Sequence, residues 1–386
     1  MQLSIKSYCG LVALLALSAL NQPFSNARGQ GSLTPPGAPA PTMKSLDQIE
    51  PRTPISALPY GISTGGSYYL TTSLTGVGGN LNGINISSGN VTLDLNGFTL
   101  QGVPGSGAGI RITATITNLT IRNGTLTGWG SHGLDAYSSG FPRNMVFEGL
   151  TLSGNGSAGI YAEADSIMRN CLAIGNAGDG FHSYGGEVTD CIARNNGGYG
   201  IEVVNGNVRR CFVDHNNSVG VSLTSSRAVD CIIQTNNSYG VICNGPGDEL
   251  RGCRITGNQN VAVYCNADNG ANVIADCLIS ANGSYGIYTV GLGRSLITGN
   301  QLCLNFYGGI VIGDSNNHIE NNNVITFNGA PGISVTSSGY TNNVVIKNVV
   351  GGGGSAANNY FNPGNNDFGP IGTAATATSP WANISH

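Results

Sequence analysis

The sequence predicts an all-β fold, a single-stranded right-handed parallel β-helix of about 12 coils with three short parallel sheets. Three observations carry this. A pattern recurs about every 20 residues, seen in CLAIGNAGDGF, CIARNNGGYGI, CFVDHNNSVGV and CIIQTNNSYGV, which begin at Cys171, Cys191, Cys211 and Cys231. A glycine followed by an aliphatic residue anchors each unit, at Gly83, Gly109, Gly133, Gly159, Gly180, Gly200, Gly220, Gly240, Gly286, Gly309 and Gly332, with Ala262 filling the one gap. An asparagine stands four residues before most anchors, from Asn155 and Asn176 through Asn196, Asn216, Asn236, Asn258, Asn282 and Asn305 to Asn328. Such a period describes stacked units, each unable to bury a face alone.

The strands follow from local alternation. After each anchor comes a triplet such as Ile201-Glu202-Val203, apolar at the first and third positions, as expected of a strand with one buried face. A second strand is expected around Val188 and Val208, and a third starting at the cysteine, as in Cys191-Ile192-Ala193. Parallel crossovers default to the right hand. The asparagines are expected to form the corners, tolerating left-handed backbone and stacking amide on amide. Length varies after the anchor strand, at 137–144, 244–249 and 266–272, so loops are expected beside that sheet.

Six cysteines (Cys171, Cys191, Cys211, Cys231, Cys253, Cys277) share one phase, nine residues before their anchors, and are expected to stack inward as free thiols. Neighbouring rungs lie about 4.8 Å apart, but in-register Cβ vectors run side by side, so no disulfide is required. Cys243 and Cys265 form a second such pair. No CxxC or Cys/His cluster suggests zinc.

Four regions are expected: a signal peptide at 1–27, a Pro-rich linker and N-terminal cap at 28–66, the β-helix at 67–350, and a C-terminal cap or tail at 351–386. Lys6, the apolar run Tyr8 to Leu20 and Ser25-Asn26-Ala27 read as an export signal that carries Cys9 away and leaves nine cysteines. The mature chain is therefore expected in the periplasm, at the cell surface or secreted. No later segment is apolar for long enough to span a bilayer. Sixteen Lys+Arg against twenty Asp+Glu, a net charge of −4, leave no basic stripe for nucleic acid.

The Gly-Ile rungs with asparagine corners, together with SYYLTTSLTG and GNVTLDLNGFTL, resemble the parallel β-helix repeats of the pectin-lyase-like superfamily, in particular its exported bacterial members. The resemblance covers roughly residues 67 to 350 and implies the fold. That scaffold carries lyases, hydrolases, epimerases and adhesins alike, so it implies function weakly. The polygalacturonase pattern is not met, since the chain has no Asp-Asp dipeptide and its nearest approach to Gly-His-Gly is Ser131-His132-Gly133. The pectate lyase runs are absent too.

The second residue after each anchor is expected to point outward, and this column runs Arg111, Asp135, Tyr161, His182, Glu202 over five rungs. These five are the candidate substrate-binding residues: aromatic and imidazole faces suit sugar rings, and Arg111 suits an acidic sugar. His182 and Glu202, one rung apart, are the candidate acid/base pair. Asp135 and Glu202 lie three rungs, about 14 Å, apart, too far for the two carboxylates of a glycosidase. Charge alternation at Asp190, Arg210 and Asp230, and at Arg194 beside Asp214, is expected to neutralise a sheet face, so a solvated ladder explains the same column. Two functions stay open. One is a non-catalytic module binding polysaccharide or a cell-surface glycan, or serving as a surface spacer or adhesin; the other is a polysaccharide lyase or glycoside hydrolase working over the same strands. Neither requires a cofactor, with Ca²⁺ left as an open alternative.

Overall fold

The computed structural model describes residues 50–137, 142–163, 165–267, 271–326, 329–353 and 356–386. The expected signal peptide, most of the Pro-rich segment, Asn328 and parts of two loops lie outside these residues. Arg52–His386 form one compact unit.

Every strand pairing in this unit is parallel and in register from coil to coil, as in His182↔Glu202 and Ala193↔Val213. The anchor triplets build a 14-stranded sheet running from Tyr60–Ile62 to Tyr360–Phe361, here called the anchor sheet. The other two faces are ladders of mostly two- to five-residue strands. One runs from Thr53–Ile55 to Asp367–Phe368, the other from Leu74–Thr75 to Asn383–Ser385. The eleven-residue strands Thr117–Thr127 and Arg143–Ser153 run through both ladders and join them into a single 28-stranded sheet. Among the described residues no helix is long and apolar enough to cross a membrane.

The coils continue beyond 67–350. Thr53–Ile55 pairs with Tyr68–Leu70 and Tyr60–Ile62 with Ile84–Ile86, while Tyr360–Phe361 and Asn383–Ser385 extend the far end. Pro59 and Asn359 stand at the anchor position there, so the repeat signal is lost although the pairing is not.

The interior is a column of Ile, Val and Leu from the first and third anchor-strand positions and the middle of the other strands, almost all fully buried. The anchor glycine is a packing requirement. A Cβ on Gly180 would lie 2.5 Å from the Gly200 carbonyl, and one on Gly200 would lie 2.3 Å from Val213 Cγ1. At these two coils a Cβ would press on the next coil's backbone and core, whereas Ala262 occupies the equivalent position where its own coil makes room for a methyl group.

The corners differ from expectation in one respect. The column asparagines are not the left-handed residues. The positive φ falls one residue earlier, at Asn195 (54°), His215 (54°), Thr235 (53°) and Ala281 (55°), and at Gly175 and Gly257. That leaves each column asparagine buried with its amide along the stack. Asn196 Nδ2 donates to Asn216 Oδ1 at 3.0 Å and to the Ala173 carbonyl at 3.2 Å, while its backbone N–H donates to the same Oδ1 at 3.1 Å. The unit repeats from Asn155 to Asn305. A buried amide satisfied on both sides is what a dry corner requires.

The cysteines also sit slightly differently. The third strand begins one residue later, at Ile192–Arg194, and Cys191 occupies the bend before it, after the left-handed Asp190. Its thiol donates to the Thr189 carbonyl at 3.2 Å and to the Met168 carbonyl at 3.5 Å. The same position in later coils is asparagine: Cys277 N–H donates to Asn300 Oδ1, and the line continues through Asn322 and Asn348 to Asn383. The thiol thus stands where an amide stands further along the column. All nine cysteines from Cys171 to Cys303 are free, and eight are buried. The hydrogen bond with Cys265, together with burial, holds the Cys243 thiol well above the ordinary thiol range, and hence protonated. Denatured but unreduced protein prepared without residues 1–27 is expected to titrate nine thiols with a disulfide reagent. A count near one would mean that the columns are bridged.

Candidate functional site

The anchor sheet brings the five predicted residues into one line. Arg111 pairs with Asp135, Asp135 with Tyr161, Tyr161 with His182, and His182 with Glu202. The parallel register makes them a continuous outward column with flanking groups on both sides.

His182 is the centre of the cluster. Its Nδ1 donates to Glu202 Oε2 at 2.8 Å and lies 3.5 Å from Asp179 Oδ2. Asp179 is held in turn by the Tyr199 N–H, which donates to Oδ1 at 2.7 Å. One face of the imidazole stacks on Tyr161, with ring centroids 4.5 Å apart and planes 21° apart, and Tyr184 tilts against it at 5.0 Å. Burial by itself lowers the pKa of His182, but the two carboxylates outweigh it and raise the group to about 9. The ring is therefore an imidazolium at neutral pH, placed between aromatic faces that favour a cation.

The outward column was expected to be exposed, and for two members it is not. His182 is 7% exposed and Asp135 6%. Tyr161, Asp179, Tyr184 and Glu202 cover the imidazole, so that Nε2 has no hydrogen-bond partner and no solvent contact. His182→Ala would leave two carboxylates side by side without their cation, so it is expected to destabilise the protein and not to leave its melting temperature unchanged. The pH dependence follows. The folded pKa lies above the unfolded value of about 6.5, so this contribution is complete below that pH and is lost as pH rises through 9. Between pH 6.5 and 9.5 the parent is expected to lose up to about 3 kcal/mol that His182→Asn does not lose, read from denaturant midpoints across the range.

Four groups that the outward column did not include complete the cluster. His132 packs against Tyr161 at 5.3 Å, and Tyr137 at 5.6 Å. His132 Nδ1 accepts from the Ala158 N–H at 3.2 Å. Burial, reinforced by Arg111 and His182 and opposed by Asp135, holds its pKa below the usual range, so it is neutral and carries its proton on Nε2. The other two are Asp179 and Tyr184, both against His182. His132 and Asp179 occupy the position just before the anchor, and Tyr137 and Tyr184 the fourth position after it. Both columns are readable in the repeat alignment, and scanning all three outward positions would have found them.

Arg111 is half exposed and shares its charge with Asp135, its Nη1 lying 3.6 Å from Asp135 Oδ2. The ladders expected elsewhere are present: Arg210 pairs with Asp190 at 2.8 Å and Arg194 with Asp214 at 2.7 Å, and His215 sits on Asp214 at 3.0 Å. They lie on the other two faces, away from the aromatic cluster. Asp179, His182 and Glu202 hold three ligand-type atoms within 4.8 Å of one another, a set able to enclose a metal ion. The same three atoms already form a closed hydrogen-bonded set around Nδ1.

The family description "right handed beta helix region" matches residues 82–229 and 224–369, most of the chain. The chain belongs to this β-helix family. Among solved structures, this β-helix is similar to the mannuronan C-5 epimerase AlgE6 A-module of Azotobacter vinelandii, at 16% identity and a TM-score of 0.55, over 83% of this chain and 91% of that one. The AlgE4 A-module of the same organism aligns over the same shares at 15% identity and a TM-score of 0.46. At these identities the likeness is one of fold. No curated protein matches the β-helix sequence.

Proposed function

We propose that this β-helix binds a neutral extracellular polysaccharide along its anchor sheet, without catalysis and without a cofactor. The observation that carries the reading is the internal pairing of the charges. Arg111 is met by Asp135, and the His182 imidazolium by Asp179 and Glu202. What the cluster offers a ligand is therefore hydroxyls, the His132 Nε2–H, carboxylate lone pairs and ring edges, which suit the hydroxyls of an uncharged sugar. An acidic sugar would meet an Arg111 charge already offset by Asp135, beside the further carboxylates of Asp179 and Glu202. His182, the natural acid/base candidate, is enclosed and committed to its carboxylates, which argues against the alternative of a lyase or hydrolase. The carbohydrate-directed epimerase that shares the fold is consistent with a glycan ligand. Removal of residues 1–27 and export of the mature chain belong to the same proposal.

Affinity electrophoresis in gels containing xyloglucan, galactomannan, mixed-linkage β-glucan or dextran tests this, with alginate and polygalacturonate as anionic comparators. Retention by at least one neutral polymer is expected, unchanged by 0.5 M salt (on the order of a 4 Å Debye length). Retention by the anionic polymers alone would overturn it. New reducing or unsaturated ends in the retained polymer would establish the enzyme reading in its place.

A further inference from the structure

Further along the same sheet stands a second aromatic group that the column Arg111 to Glu202 does not include. Tyr264 follows Glu202, Ser222 and Ile242 in register, and Tyr288 follows Tyr264. Tyr239 stacks on Tyr264 with centroids 5.0 Å apart and planes 30° apart, and Tyr285 flanks Tyr288 at 5.8 Å. Tyr307 extends the group from Tyr285 at 6.0 Å, and Phe306 meets Tyr307 edge to face at 4.8 Å and 81°. Phe306 and Tyr307 are each 56% exposed.

These rings differ from the first cluster in two ways. None of the six carries or pairs with a charge, and the charged neighbour felt by Tyr288, Asp314, is buried and hydrogen-bonded to Thr289 and Asn317. Phe306 and Tyr307 are also open, whereas a face of Tyr161 is already covered by His182. The corner that presents them departs from its neighbours. Where other coils carry Asn-Gly-Gly or Asn-Asn-Ser, this one reads Asn305-Phe306-Tyr307. Leu304 before it takes the same left-handed turn position as Asn195, His215, Thr235 and Ala281, but is an apolar side chain 55% exposed there. Leu304, Phe306 and Tyr307 are all more than half exposed, so these side chains are not there to fill the core, and three exposed apolar residues at one corner mark an interaction surface.

The geometry points to a stacking subsite at Phe306 and Tyr307, continued over Tyr288 and Tyr264, where the apolar faces of a neutral glycan chain rest while the same chain reaches the Tyr161–His182 cluster. This rests on the function proposed above. Continuity argues for one occupant. Tyr161 and Tyr288 are six rungs apart on one straight sheet, about 29 Å, and the uncharged Ser222 and Ile242 lie between. A regular polymer suits a surface that repeats at each rung, and tyrosines combine an apolar face with a hydroxyl at its edge.

The test uses the mature protein and whichever neutral polymer retains it in the gels, together with that polymer's trisaccharide. The parent is expected to bind the polymer at least about tenfold more tightly than the trisaccharide, and the double variant Phe306→Ala/Tyr307→Ala to lose about tenfold in polymer affinity with its melting temperature unchanged. The trisaccharide affinities of parent and variant are expected to agree. Equal polymer affinity in the variant overturns the subsite and leaves the proposed function standing. Absence of any neutral-polymer binding by the parent overturns both. Light scattering that shows a parent dimer converted to monomer by the double variant would assign the rings to a second copy of the chain, and overturn the subsite as well.

Discussion

Asn216→Leu is expected to lower the unfolding free energy by about 3–5 kcal/mol, among the largest effects of a single uncharged substitution in this chain. Asn216 stands in the middle of the amide ladder. Its Oδ1 accepts from the Asn196 N–H and Nδ2 at 3.1 and 3.0 Å, and its own Nδ2 donates to Asn236 Oδ1 at 2.9 Å and the Ala193 carbonyl at 3.1 Å. Leucine removes all four bonds and leaves the Asn196 N–H buried without an acceptor, a penalty that exceeds the value of the bond itself. The neighbouring Asn217 is exposed, and its amide bond with Asn237 is a surface one. Asn217→Leu is therefore expected to cost under about 1 kcal/mol. Guanidinium unfolding of the two variants checks this. Equal midpoints would show that the ladder contributes nothing beyond its surface counterpart.

Cys211→Asp is expected to cost more than about 4 kcal/mol, enough to reduce the yield of folded protein, whereas Cys211→Asn should cost no more than about 1–2 kcal/mol. Cys211 is 2% exposed, with its thiol donating to the Val188 carbonyl at 3.4 Å and the Arg209 carbonyl at 3.3 Å. An aspartate there has no donor to offer those carbonyls and no cation beside it in the column. An asparagine has both an amide donor and an acceptor, and this column already switches from cysteine to asparagine between Cys277 and Asn300. Comparable melting temperatures for the two variants would mean that the column admits water.

Much of the fold was legible because a solenoid is governed by local rules repeated in register. The glycine anchors mark where one coil's backbone approaches the next too closely for a Cβ. The alternation after them marks the inward face, and both survive as plain sequence patterns. The corner was legible in part. Asparagine periodicity located the bend, but which residue turns left-handed depends on where the amide must point. The buried ladder needs Asn196 and Asn216 facing inward, so the turn falls on Asn195 and His215. At the ends the pattern failed because Pro59 and Asn359 occupy anchor positions while backbone pairing continues unaltered.

For the site, the sequence by itself determined the column. Once the period is known, Arg111, Asp135, Tyr161, His182 and Glu202 must stand on successive rungs, and the His182–Glu202 bond follows from rung spacing. Only the tertiary structure decided their environment. Depth depends on side chains arriving from the positions before and after the anchor strand, so Asp179, Tyr184 and Tyr161 enclose an imidazole that the alternation rule places outside. Charge state is decided in the same way: one carboxylate was readable beside His182, but two hold it, and together they outweigh burial and make it a cation. Periodicity determines which residues share a face, because that is a property of the backbone. Exposure and protonation are sums over neighbours from several coils, and those sums exist only once the coils are stacked.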